Sequence, residues 1–231
     1  MSPYQQKAWE EEYSKKRFVS GSMEPSQEVK NFARFLRKKT DVDFTDAHVL
    51  DLGCGVGKHA FFFESLGATV IGYDIARNAL QSARARVVET KSTVTFFEQN
   101  IGKPYPLPDQ SIDIVLDVMS SNSLTEGERR VYVSEIHRVL KPGGWLFVRA
   151  LCKDGDKNAH ALLKEHPWKE KDTYLMPKSN FHERVFTEQD ILALYESFLL
   201  IKKEKKHHYT RFEGVLYKRN YFVLYLQKAS R

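Results

Sequence analysis

The stretch "VLDLGCGVGKHA", residues 49–60, limits this chain more than any other. An apolar run is followed by three glycines at alternate positions and then by residues that suit a helix. Glycine accepts positive φ and lets a ligand approach the main chain, and a following helix offers unpaired N–H groups at its start. Such a bend suits a phosphate, an adenosyl group, or nothing beyond a tight turn. The residues around it narrow the choice.

Downstream, strand and helix patterns alternate. "HVLDLG", "ATVIGYDI", "TVTFFEQN", "SIDIVLDVM" and "WLFVRAL" read as strands, and the continuous apolar runs among them suit a parallel sheet covered on both faces. Between them "GKHAFFFESLG" reads as a helix ended by Gly67, and "ARNALQSARARVV" as a helix with Leu80, Ala83 and Val87 on one face. "LTEGERRVYVSEIHRVLKPGG" reads as a helix opened by Thr125 and Glu128 at capping-box spacing and stopped by Pro142, Gly143 and Gly144. This alternation predicts a doubly wound α/β sheet with right-handed crossovers. "FTEQDILALYESF" adds a helix capped by Thr187, with Phe186 stapling onto Ile191. Two β-rich runs, "FLLIKKEKKHHY" and "YFVLYLQK", are expected to close the chain as an antiparallel hairpin, bringing the sheet to seven mostly parallel strands.

One domain is expected over residues 1–231. It divides into an N-terminal cap segment (1–45), a ligand-binding core (46–152), a variable excursion (153–185) and a C-terminal helix and hairpin (186–231). In the cap, "PSQEVKNFARFLRKK" places Val29, Phe32 and Leu36 on one helical face; before it, Trp9, Tyr13 and Phe18 lie in a charged segment that suits a short helix or a flap over a site. The N-terminus lacks the apolar centre of a signal peptide, and no run nears the roughly 18–20 apolar residues of a membrane span, so a cytoplasmic chain is expected. Cys54 and Cys152 are too few and too far apart for zinc or iron–sulfur spacing, and no metal site is expected. A net charge of +6 gives mild support for an anionic partner and weak support for nucleic acid.

Asp74 ends the second strand, where a carboxylate can accept from both hydroxyls of a ribose. That fits NAD and any adenosyl ligand equally. Two details separate them. The dinucleotide fingerprint has its third glycine where this chain has Lys58, and Asp51 adds negative charge where a pyrophosphate would lie. A diphosphate is repelled there, whereas an ammonium and a sulfonium are attracted.

With these residues in place, the chain resembles the class I S-adenosylmethionine-dependent methyltransferases, a Rossmann-like family. "VLDLGCGVG", "VIGYDI", "FFEQNIGKPYPLPDQSIDIVLDV" and "EIHRVLKPGGWLF" are similar to that family's successive motifs over roughly residues 45–150. The resemblance implies that Gly53, Cys54, Gly55 and Gly57 adjoin the methionine part of S-adenosylmethionine, the product being S-adenosylhomocysteine. It implies further that Asp51 holds the ammonium and Asp74 the ribose, that Ile75 and Ile101 flank the adenine, and that Asp117 and Val118 line the cofactor. Asn100 stands where many relatives have aspartate for the adenine amine; its oxygen still accepts there. The implied reaction is in-line displacement at a sulfonium methyl, for which alignment and exclusion of water matter most.

No catalytic residue is assigned. If the acceptor needs a base, His160, His166 and His182 in the excursion are candidates, with Tyr13 and Trp9 as cover. Each of those histidines also reads as a solvated loop residue, and His59 as a packed one. The chain has no Pro-Pro pair like that of enzymes acting on exocyclic base amines, nor the cysteine pair of RNA cytosine-5 enzymes. "KKEKKHHYTR" at 202–211 and "RKK" at 37–39 read as a basic binding face or as a lysine-protected strand edge. A small-molecule acceptor is favoured, with RNA or protein methylation, and a NAD-type oxidoreductase or silent nucleotide-binding module, as alternatives.

Overall fold

A computed structural model describes residues 3–15, 23–179, 181–212 and 215–230. Phe18 lies outside the described residues, as do the side chains of Thr210 and Arg211.

The glycine bend leaves the first strand at the centre of the sheet. That strand, β1 (His48–Leu52), pairs in parallel with β2 (Thr69–Asp74) on one side and with β4 (Ile112–Val118) on the other. β3 (Thr95–Glu98) continues beyond β2, and β5 (Leu140–Leu151) beyond β4, also in parallel. The hairpin of β8 (Leu199–Phe212) and β9 (Val215–Gln227) completes seven strands in the order β3, β2, β1, β4, β5, β9, β8. Burial explains why the last strand in the chain is not the last in the sheet. From Tyr221 to Leu226 every residue of β9 is at most 4% exposed, so it needs neighbours on both edges, whereas β8 carries lysines suited to an open edge.

Helices cover both faces. α2 (Gln27–Lys39), α3 (Lys58–Ser65) and α4 (Arg77–Thr90) bury Phe32, Phe63 and Leu80 on one face, against Val49, Phe147 and Tyr225. On the other, α5 (Glu126–Val139) and α7 (Glu188–Leu194) bury Tyr132, Ile136 and Ile191 against Leu50, Leu146 and Phe222. Fully burying one such side chain contributes about 1.5–3 kcal/mol. The expected caps form. Thr125 and Glu128 close a reciprocal capping box, and the Thr187 side chain accepts from the Asp190 N–H. α5 stops at Val139, ahead of the expected Pro142–Gly144, because a residue before proline avoids helical backbone and the "KPGG" run already belongs to β5.

The excursion forms α6 (Lys157–Glu165) and a small hairpin of β6 (Thr173–Leu175) and β7 (His182–Arg184). It packs with the N-terminal helix α1 (Pro3–Lys15) around a third cluster that includes Ala8, Leu151, Tyr174 and Phe181. Trp9 stacks on Phe181 with ring centroids 4.4 Å apart. These elements roof the carboxyl ends of the strands. No helix among the described residues is long and apolar enough to cross a membrane.

Candidate functional site

The bend after β1 is fastened to the neighbouring strand: the N–H groups of Gly53 and Cys54 both donate to the Tyr73 carbonyl, at 2.7 and 2.9 Å. Gly53 and Gly55 have φ of +68° and +56°, backbone that favours glycine, and a Cβ on them would fall 2.1 Å from Ser120 Oγ and 2.4 Å from the Tyr13 hydroxyl. The bare main chain is therefore a requirement of the site. Gly57 serves α3 instead, as its N-cap.

A cavity of about 460 Å³ opens beside this bend, well within the roughly 300–1,000 Å³ of small-molecule sites. Gly53, Cys54, Gly55, Asp74 and Ile75 line one side, with Ile101 and Val118 further along. Trp9 and Tyr13 of α1 cover it, as the sequence predicts for cover. Asp74 Oδ2 accepts from the Gly55 N–H and Oδ1 from the Ala76 N–H, both at 2.8 Å. A carboxylate offers about four lone-pair sites, so two remain for a ligand. Burial raises the Asp74 pKa, and those backbone donors oppose the rise.

Asp51 lies beneath the bend, 1% exposed and outside the cavity wall, with Oδ2 unpartnered. Burial first, then the charges of Asp74 and Asp117, push its pKa up to about 7, against the pull of Lys58. Asp117 also stays off the cavity wall; it accepts from the Ser120 N–H at 2.8 Å and the Tyr132 hydroxyl at 2.7 Å, pinning the turn after β4. Asn100 likewise turns inward, its Oδ1 accepting from the Gly102 N–H at 2.9 Å, while the adjacent Gln99 lines the cavity.

None of the three excursion histidines reaches the cavity. His160 and His166 are exposed, and His182 is buried in a stack on Trp168 at 4.0 Å. The histidines that do line it are His59 and His208, joined by Lys58 and Arg149. The reading of the residues gave no role to Lys58, Arg149, Gln99, Met119 or Ser120. For Arg149 a signal existed: it is the one charged residue in "WLFVRAL", an otherwise apolar interior strand. Met119 carries another, visible only in the fold. Its φ of +70° is strained for a side chain of that size and re-aims the chain so that Ser120 meets Gly53.

Comparison with known proteins finds methyltransferases. A family described as "Methyltransferase domain" matches residues 49–144. An uncharacterized methyltransferase of Synechocystis is 32% identical over 96 residues, covering 42% of this chain and 43% of its own. The demethylmenaquinone methyltransferase of Lactococcus lactis is 28% identical over 179 residues, covering 66% and 68%. The chain thus spans less than half of the first of these. Among solved structures, a SAM-dependent methyltransferase from Methanosarcina mazei superposes with a TM-score of 0.72 at 26% identity, over 81% of this chain and 94% of that one.

Proposed function

We propose that the chain is a class I S-adenosylmethionine-dependent methyltransferase that methylates a small-molecule acceptor held in the cavity beneath α1. One observation carries the reading. Two carboxylates, Asp51 and Asp74, end adjacent strands with main chain stripped of side chains between them, and Asp51 keeps an unpartnered oxygen. A cationic nucleoside satisfies that arrangement, and a diphosphate is repelled by it.

The residues fit the cofactor. Asp74 has two acceptor sites left for the ribose hydroxyls, Ile75 and Ile101 offer apolar faces to the adenine, and the Asp51 charge favours the ammonium. Gln99, on the cavity wall beside Asn100, is placed to contact the adenine edge. When bound, S-adenosylmethionine supplies a methyl group on a positively charged sulfur. The chain's own part is to orient the partners and keep water out, and Trp9 and Tyr13, with Phe181 of the excursion stacked behind Trp9, serve the second.

A small acceptor is favoured over RNA by the state of the basic hairpin. Lys202 and Lys206 both pair with Glu204, at 2.9 and 3.0 Å, and Lys203 pairs with Glu188. These lysines are engaged along the strand edge and are not held ready for phosphates.

Calorimetry with S-adenosylhomocysteine and with NAD decides the cofactor. The first is expected to bind and the second not. The reverse result removes the proposal.

A further inference from the structure

Away from the two carboxylates, the cavity ends in a wall whose polar groups can only donate. Arg149 enters it from β5, its guanidinium carbon 4.1 Å over the Tyr221 ring and one nitrogen 3.3 Å from Nδ1 of His208 on β8. A guanidinium has no lone pair to offer, so Nδ1 must accept and the imidazole proton stands on Nε2. Burial, with the Arg149 and Arg219 charges, holds the His208 pKa down near about 4, so the ring is neutral at pH 7 and presents an N–H. His59 is fixed in the same sense: its Nε2 accepts from the Ser26 N–H at 3.3 Å, which leaves a donor at Nδ1. Lys58 adds an ammonium.

Among the described residues no carboxylate lies within ion-pair distance of Arg149 or Lys58. The neighbouring acid, Glu28, takes the Tyr221 hydroxyl at 2.8 Å, and Arg149 Nε is buried without a partner. Glu28 acts on Arg149 only through space, and a guanidinium taken from water with no ion-paired carboxylate is costly; the stacking on Tyr221 holds it ready for one.

We propose that Arg149 and His208 bind an anionic group, a carboxylate or a phosphate, of the methyl acceptor. This rests on the cofactor reading above, because the acceptor must share the cavity with S-adenosylmethionine. The cofactor's own carboxylate is the other possible source of the anion, and sheet order argues against it. Lys58 is electrostatically coupled to both Arg149 and Asp51, so it stands between the donor wall and the amino-acid end of the cofactor. Arg149 stands on β5, two strands from Asp51 on β1, about 10 Å at the usual strand spacing, and His208 lies further off on the far side of β9. An anion there would share the cavity with the cationic sulfur of the bound cofactor, a favourable pairing.

The test uses the full chain saturated with S-adenosylhomocysteine, titrated with benzoate, inorganic phosphate and neutral benzamide and followed by NMR shifts of the cavity residues. Benzoate or phosphate is expected to saturate, and benzamide to bind about tenfold more weakly or not at all. Arg149→Met should lose the anion by about tenfold or more and leave the S-adenosylhomocysteine affinity within about twofold. Arg149→Lys, which keeps the charge and loses the fork, guards against misfolding and should fall between. His208→Gln should weaken the anion less than Arg149→Met does.

Anion binding equal in wild type and Arg149→Met, or absent from wild type, overturns the proposal. So does an Arg149→Met chain that loses S-adenosylhomocysteine and keeps 5′-methylthioadenosine, which lacks the amino-acid end, since the wall then serves the cofactor. A wild-type chain that ignores S-adenosylhomocysteine overturns the cofactor reading itself.

Discussion

Asp51 concentrates the chemistry of the site in one side chain. Its carboxyl titrates near pH 7 because it is buried beside Asp74 and Asp117, and the two consequences have opposite signs. A folded-state pKa above the ordinary carboxylate value means that its stability contribution is full below about pH 4 and is lost as pH rises to about 7. Asp51→Asn should therefore melt higher than wild type at pH 8, by about 2–4 °C for each kcal/mol recovered, with the gap closing toward pH 4. The ligand's ammonium prefers the ionised form, so S-adenosylhomocysteine affinity should rise with pH up to about 7 and then level off. Calorimetry in two buffers of different ionisation heat at pH 6 should show proton release on binding, and Asp51→Asn should abolish the release. Asp74 differs in being fastened by the Gly55 and Ala76 N–H groups, which oppose but do not cancel the upward push of burial on its pKa. Asp74→Ala is expected to weaken S-adenosylhomocysteine by about 1–3 kcal/mol, and an unchanged affinity takes Asp74 out of the site.

Among the elements, α1 decides whether the cavity is closed. Its hold on the fold runs through Trp9 on Phe181, through Gln5 to the Ser123 carbonyl at 3.2 Å, and through Gln6 to the Ile75 carbonyl at 3.1 Å. Such a helix, held by a small cluster around Ala8, one stacked pair and side-chain hydrogen bonds, has fewer buried contacts than the sheet beneath it and opens at lower free energy. Trp9→Ala should remove about 0.5–1.5 kcal/mol of ring pairing beyond its area burial. Hydrogen exchange should then speed up across α1 and leave β1 and β4 unchanged. If the sheet amides exchange faster by the same factor, α1 is part of the core and not a cover.

Across the whole molecule, charge is distributed to suit the cavity more than the surface. The net +6 comes with lysines of the hairpin already paired, so single-stranded RNA should bind only weakly at about 0.15 M salt. Filter binding across a salt series should give a shallow slope. A slope matching many released counterions would move the acceptor to nucleic acid. Inside, Asp74 at the tip of β2, backed by Asp51 beneath the bend, and the donor wall at β5 and β8 give the cavity two ends of opposite sign. A charged cofactor and an oppositely charged acceptor can share it without either losing its compensation.

The alternation of apolar strands with capped helices was legible because each signal is local: a run of a few residues, a Thr–Glu pair three apart, a proline after a helix. Asp51, the glycines and Asp74 were legible for the same reason, since a strand end and a bend fix their positions without reference to the rest of the chain. Tertiary structure alone decided that β9 slides between β5 and β8, and that Asp117 and Asn100 stay off the cavity wall while Gln99 lines it. It alone brought Lys58, Arg149 and His208 to one wall. Those three are far apart in the chain and share no period or spacing. Only the burial of β9 and the long hairpin carry His208 back to Arg149, and a pairing set by packed surfaces leaves no mark on neighbouring residues.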